Sequence, residues 1–172
     1  MTAPPDVRIR AVEDADLPVF LAHQDDPVAA AMAAFPTRAP DAFYAHWAEI
    51  RAHLTNLTRT ITADGVVVGD IVSWVEDGRR EVGYWIGQEH WGRGYATAAL
   101  RLLLDEVPDR PMFARAAEHN TRSRRVLERC GFVRVGETDA DGFHEGIYRL
   151  DGHPGIDDAD VGRGSVERGE SE

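Results

Sequence analysis

The chain has 172 residues, 43% hydrophobic, with a formal net charge of −11 and a single cysteine. That length suits one domain with its own core. The acidic balance argues against nucleic-acid binding, one cysteine excludes an internal disulfide, and no apolar run reaches the ~20 residues of a membrane span. No charged and apolar leader opens the chain, so a cytoplasmic location is the expectation. Residues 151–172 hold seven acids against Arg163 and Arg168 and no Leu, Phe, Tyr or Trp. They read as an acidic, flexible tail behind a folded domain spanning 1–150.

Residues 7–12 alternate apolar and polar side chains as a strand does. Asp16 is placed to cap a helix with Pro18 in its first turn and Leu17, Phe20 and Leu21 on its apolar face. Beyond Pro36 and Pro40, Asp41 opens a second helix. Its stripe is Phe43, Trp47, Ile50 and Leu54, with His46 and His53 beside it. Residues 57–63 and 66–75 read as strands joined at Asp64-Gly65, and Asp77-Gly78 turns the chain into a strand over 81–86.

Trp91-Gly92-Arg93-Gly94-Tyr95-Ala96-Thr97 follows. Ala96, Ala99, Leu100, Leu103, Leu104 and Val107 then recur at helical spacing. Strand, glycine-rich turn and helix N-terminus make a backbone cradle for a phosphate, because the first-turn N–H groups are unpaired and the helix dipole favours negative charge there. A P-loop needs Lys and Ser/Thr where Tyr95 and Ala96 stand. A dinucleotide fingerprint needs glycine where Thr97 stands, and it opens the first βα unit of its fold. A strand over 111–117 precedes a helix capped by Asn120, with Ser123, Val126, Leu127 and Cys130 on one face and Gly131 at its end. Strands over 133–138 and 143–150 close the chain around Asp141-Gly142. There is no internal repeat.

The 91–97 segment resembles motif A of the GNAT superfamily of acyl-CoA-dependent N-acetyltransferases, Gln/Arg-x-x-Gly-x-Gly/Ala. Its closing residues fall on Gly94-Tyr95-Ala96, and Trp91 stands in the opening position. Trp-Gly-x-Gly-Tyr-Ala-Thr is similar to the branch containing the ribosomal-protein N-terminal acetyltransferases. Residues 120–132 resemble the family's later motif, Asn-x-x-Ser/Ala opening a helix that ends at Gly-Phe. The resemblance implies an α/β GNAT fold: a mixed, mostly antiparallel central sheet with splayed middle strands, flanked by helices. It implies direct transfer of an acetyl group from acetyl-CoA, the co-substrate, to a primary amine. The acceptor is either a protein N-terminal α-amine or a small-molecule amine. A catalytically silent acyl-CoA sensor and an acyltransferase for another thioester, such as succinyl-CoA, are the alternatives. A monomer or homodimer without membrane partners is expected.

By the same resemblance, coenzyme A is held by Trp85, Ile86, Trp91, Gly92, Arg93, Gly94, Tyr95, Ala96, Thr97, Asn120 and Ser123. Arg124, Arg125 and Arg129 are further candidates for its phosphates. Acyl transfer needs an oxyanion donor, expected from a backbone N–H near Trp85 and Ile86, and a donor for the departing thiolate. The family's tyrosine for that last task is replaced by Leu127, so Ser123 is the expected substitute. Glu81 is the candidate base, with His46, His53, Asp141, His144 and Glu145 behind it. Water suffices if the acceptor is an α-amine, whose pKa is about 7.7–8.0. Cys130 reads as packing. No His, Cys, Asp or Glu pair has a metal-binding spacing in the sequence, so no metal is expected.

Overall fold

Two Asp-Gly turns set the middle of the sheet. Asp64 and Gly65 have φ of 49° and 79°, and Asp77 and Gly78 have 49° and 75°, the paired positive values of turns whose twist matches antiparallel strands. They register β2 (Leu57–Ala63), β3 (Val66–Glu76) and β4 (Arg79–Ile86) as a meander. The computed structural model describes residues 3–140 and 142–152. The remaining elements are β1 (Val7–Ala11), α1 (Leu17–Asp25), α2 (Pro27–Ala33), α3 (Pro40–Ala52), α4 (Tyr95–Glu106), β5 (Met112–Ala117), α5 (Thr121–Arg129), β6 (Val133–Ala140) and β7 (Phe143–Leu150). Among the described residues no helix is long and apolar enough to cross a membrane.

The sheet has seven strands in the order β1-β2-β3-β4-β5-β7-β6. Every neighbouring pair is antiparallel except β4–β5. That parallel pair is joined only at Arg80↔Met112 and Glu81↔Phe113. Beyond it β5 stays with β7 through Ala117, while β4 stays with β3 through Ile86. The sheet opens into a V between Val82–Ile86 and Ala114–Ala117, the splay that the resemblance implied.

α4 covers one face of the sheet. Its Ala99, Leu100, Leu103 and Leu104 are fully buried and join Ile61, Ile71, Met112 and Leu127 in the larger core, at about 1.5–3 kcal/mol for each large apolar side chain removed from water. Cys130 is buried in this cluster, as expected of packing. α1 and α3 cover the other face around Phe20, Phe43 and Trp47, with the Phe20 and Trp47 rings 5.0 Å apart.

Four local expectations fail. Asp16 makes no capping bond to α1; it closes the 3-10 turn Asp14–Asp16 by accepting from the Glu13 N–H at 2.8 Å. The first strand ends at Ala11, one residue early. Leu54 is fully exposed beyond α3, because that helix stops at Ala52 and the stripe stops with it. α2 was unforeseen, although Asp26-Pro27 is a start signal: the Asp26 side chain accepts from the Val28 and Ala29 N–H groups, with Pro27 at the first helical position. Asp141 and the tail beyond Gly152 lie outside the described residues.

Candidate active site

The V is the mouth of a cleft of about 400 Å³, walled by α2, the end of β4, the turn into α4 and one face of α5. All eleven residues expected to hold the cofactor line it, from Trp85 and Ile86 through 91–97 to Asn120 and Ser123. Glu81 does not. It sits at the closed end of the V, opposite Phe113, and is 8% exposed.

The turn into α4 is shaped by two left-handed glycines, Gly92 at φ +74° and Gly94 at +79°. A Cβ built on either would meet no protein atom within 4 Å. The positive φ values therefore account for both glycines, and no protein neighbour demands them. Trp91 pins this turn to the strand, its indole Nε1 donating to the Ile86 carbonyl at 2.9 Å. The Gly87 N–H is already spent on the Val68 carbonyl at 3.0 Å. A Cβ at Gly69 would collide with the Trp85 carbonyl, which places that carbonyl on the β3 side. Because strand N–H and C=O groups alternate sides, the Ile86 N–H points away from β3 into the V.

At the mouth four exposed arginines face the cleft: Arg93 from the turn and Arg122, Arg125 and Arg129 from α5. The last three are spaced i, i+3 and i+7, which puts them on one helix face. Arg122 was not foreseen; its guanidinium stacks 4.7 Å from the Trp91 ring centre. Arg124 had been expected here but points elsewhere, donating to the Tyr148 hydroxyl and the Glu118 carbonyl, both at 3.1 Å.

Deeper in, Asn120 accepts from the Ser123 N–H at 3.1 Å and fixes the start of α5. The Ser123 hydroxyl lies 2.8 Å from the Tyr84 hydroxyl, which also donates to the Ser123 carbonyl at 3.2 Å. Burial drives the Tyr84 phenol well above its usual pKa, against the pull of its Ser123 bond. Tyr84 therefore stays protonated and orients Ser123. Leu127, where the family's tyrosine was missing, is 1% exposed and belongs to the core. The hydroxyl pair at this end comes from β4 and the first turn of α5.

The GNAT acetyltransferase domain model matches residues 6–133. The chain belongs to the GNAT acetyltransferase family. YdaF of Bacillus subtilis, provisionally named a ribosomal N-acetyltransferase, is 32% identical over 109 residues, covering 59% of this chain and 57% of YdaF. This GNAT chain thus matches little more than half the length of that relative. The crystal structure of a GNAT-family acetyltransferase from Bacillus anthracis superposes with a TM-score of 0.72 at 19% identity, covering 84% of this chain and 94% of that one. YncA from Salmonella typhimurium, solved with its cofactor acetyl-CoA, superposes at 0.67 with 21% identity, covering 84% and 93%. Both show that the fold is shared.

On the GNAT sheet face beneath α1–α3, opposite the α4 core, lies a residue that the sequence reading passed over. Asp70 of β3 is the cross-strand partner of Thr60 and of Trp85. It is half-buried, its carboxylate has no hydrogen-bond partner among the described residues, and burial raises it to about 7. Asp70 interrupts the run Val66-Val67-Val68 … Ile71-Val72, a signal available in the sequence. Burial also raises the Glu81 carboxyl, opposed by Arg115. The other candidate bases stand apart. His46 is half-buried on α3, and burial lowers its pKa, helped by Arg38. His53 is exposed and bonded to Thr55 at 3.0 Å. His144 is exposed, and its bond to Asp139 at 2.8 Å raises its pKa. Neither these three nor Asp70 lines the cleft; Asp70 differs in being the cross-strand neighbour of Trp85, which does.

Proposed function

We propose that this chain transfers an acetyl group from acetyl-CoA directly to a primary amine. The observation that carries the reading is the V between β4 and β5, with a glycine-built anion cradle at its mouth and a paired hydroxyl at its inner end. The first-turn N–H groups of α4 receive the pyrophosphate of coenzyme A. Arg93, Arg122, Arg125 and Arg129 supply charge-assisted donors for its phosphates. The pantetheine arm lies along the unpaired edge of β4, and its thioester oxygen meets the Ile86 N–H as negative charge develops.

The attacking amine must be neutral. Glu81 and Asp70 are carboxyls raised by burial, on the sheet face beneath α1–α3 where the acceptor enters on this reading. Asp70, at about 7 and beside Trp85, is the better matched to accept a proton near neutral pH. Ser123 then donates a hydrogen bond to the departing thiolate. A serine hydroxyl is too weak an acid to protonate a thiolate of pKa about 8.5 outright, so the thiol proton comes from the amine, and Ser123 stabilises the charge until it arrives. Ribosomal N-acetylation in the name of YdaF favours a protein N-terminal α-amine as acceptor. Such a group needs less help to ionise than a lysine.

The test is free-thiol release from acetyl-CoA against a panel of N-terminal peptides and small amines. Amine-dependent release, highest with peptides, is the expected result. Tight CoA binding with no release for any amine would leave an acyl-CoA sensor.

A further inference from the structure

His23 of α1 is 5% exposed and packs against the connection between β4 and α4. Gly87 makes room for it: a Cβ there would stand 2.5 Å from His23 Nε2. The imidazole has no hydrogen bond among the described residues. Its Nδ1 is buried without a partner, and Nε2 faces Glu89 Oε1 at 3.6 Å. His90 Nε2 lies at the same 3.6 Å from that carboxylate oxygen. The three donor atoms all fall within 4.8 Å of one another.

We propose that His23 Nε2, a Glu89 carboxylate oxygen and His90 Nε2 form a binding site for one divalent cation of the zinc class, with water completing the shell. Ligands at 2.0–2.1 Å from a tetrahedral zinc stand about 3.3 Å apart, so two of the three edges are already within a few tenths of an ångström. The third, between the two imidazoles, is at most 4.8 Å and closes by rotation of His90, the less buried of the two rings at 17% exposed. Two imidazoles and a carboxylate favour zinc over magnesium or calcium, which take oxygen ligands. Burial lowers the His23 pKa, against the pull of the Glu89 charge, and so keeps the ring in the neutral form a metal needs. Sequence spacing hides the set, because His23 lies 66 positions before Glu89. A bound ion ties α1 to the 3-10 turn Gln88–His90, which leads directly into the glycine cradle.

Calorimetric titration of tag-free, EDTA-stripped protein with Zn²⁺ tests this, alongside thermal melts with and without excess Zn²⁺. One ion per chain and a raised melting temperature are expected. Co²⁺ in place of Zn²⁺ should give the intense visible bands of a tetrahedral site. Glu89→Gln, at an exposed position, should weaken Zn²⁺ by at least about tenfold, as should His23→Gln. His144→Gln should leave the affinity unchanged, although His144 sits beside Asp139 and Glu137. No stoichiometric binding, full affinity in Glu89→Gln, or loss in His144→Gln would each overturn the site. The readout is metal binding alone, so its failure would leave the acetyl-transfer reading standing.

Discussion

At the proposed cofactor side of the cleft the groups available for recognition are mostly main chain. Gly92 and Gly94 turn the backbone, α4 offers its first N–H groups, and the Ile86 N–H points into the V. At the proposed acceptor side, the sheet face beneath α1–α3, they are side chains of β3 and β4: Asp70 and Glu81. The difference extends to two aspartates on that second face. Asp16 and Asp70 both neighbour Thr60, but the Thr60 hydroxyl donates to Asp16 at 2.6 Å. Arg10 grips Asp16 with both guanidinium nitrogens at 2.7 and 2.9 Å. Burial alone would raise the Asp16 carboxyl; the Arg10, Thr60 and Glu13 bonds outweigh it and hold it at about 2. Asp70 has no such partners, and burial takes it to about 7. A satisfied carboxylate anchors structure, whereas an unsatisfied one is available for chemistry.

The contrast is broken most strongly at the main-chain side. Gly94→Val puts a β-branched residue at φ +79° and a side chain into the ligand's space. Acetyl-CoA affinity should fall about a hundredfold, near 2.7 kcal/mol, with the circular dichroism of the fold retained; unchanged affinity by calorimetry would refute the cradle. Next come the inner hydroxyls. Ser123→Ala should lower kcat about ten- to a hundredfold with little change in acetyl-CoA affinity, and Tyr84→Phe should give a smaller loss of the same kind. Wild-type turnover in both would make the pair purely structural.

Asp70→Asn sharpens the acceptor side. A carboxyl raised from 3.8 to about 7 contributes stability that is complete below 3.8 and lost as pH rises through about 7. Denaturant melts should therefore show wild type losing stability relative to Asp70→Asn across that window. The rising limb of kcat/KM near neutral pH should flatten in Asp70→Asn and persist in Glu81→Gln. The reverse pattern would return the base to Glu81. The smallest effect belongs to Arg122→Ala, where an exposed guanidinium loses its Trp91 stack and its phosphate. CoA should bind about three- to fivefold more weakly, with a shallower salt dependence.

The cofactor side was largely legible in the sequence because its chemistry is local. A glycine pair, an N-cap and the apolar periodicity of α4 and α5 each act within a few residues, and Asp-Gly turns register a hairpin on their own. Asp26-Pro27 was equally local and was passed over, so α2 could have been foreseen. The misplacement of Arg124 for Arg122 has another cause. Periodicity gives the faces of a helix but not which neighbours take them, and Tyr148 of β7 claims Arg124.

By itself, then, the sequence determined most of the elements, the glycine turn into α4 and the family, since each rests on contacts within a few residues. Only the tertiary structure decided where β4 and β5 part, that Tyr84 meets Ser123 across 39 positions, that Asp16 is satisfied while Asp70 is not, and that His23 faces Glu89 and His90. Those outcomes depend on strand order and on which buried polar groups find partners, and such long-range pairings are fixed only when the whole sheet and its covering helices pack together.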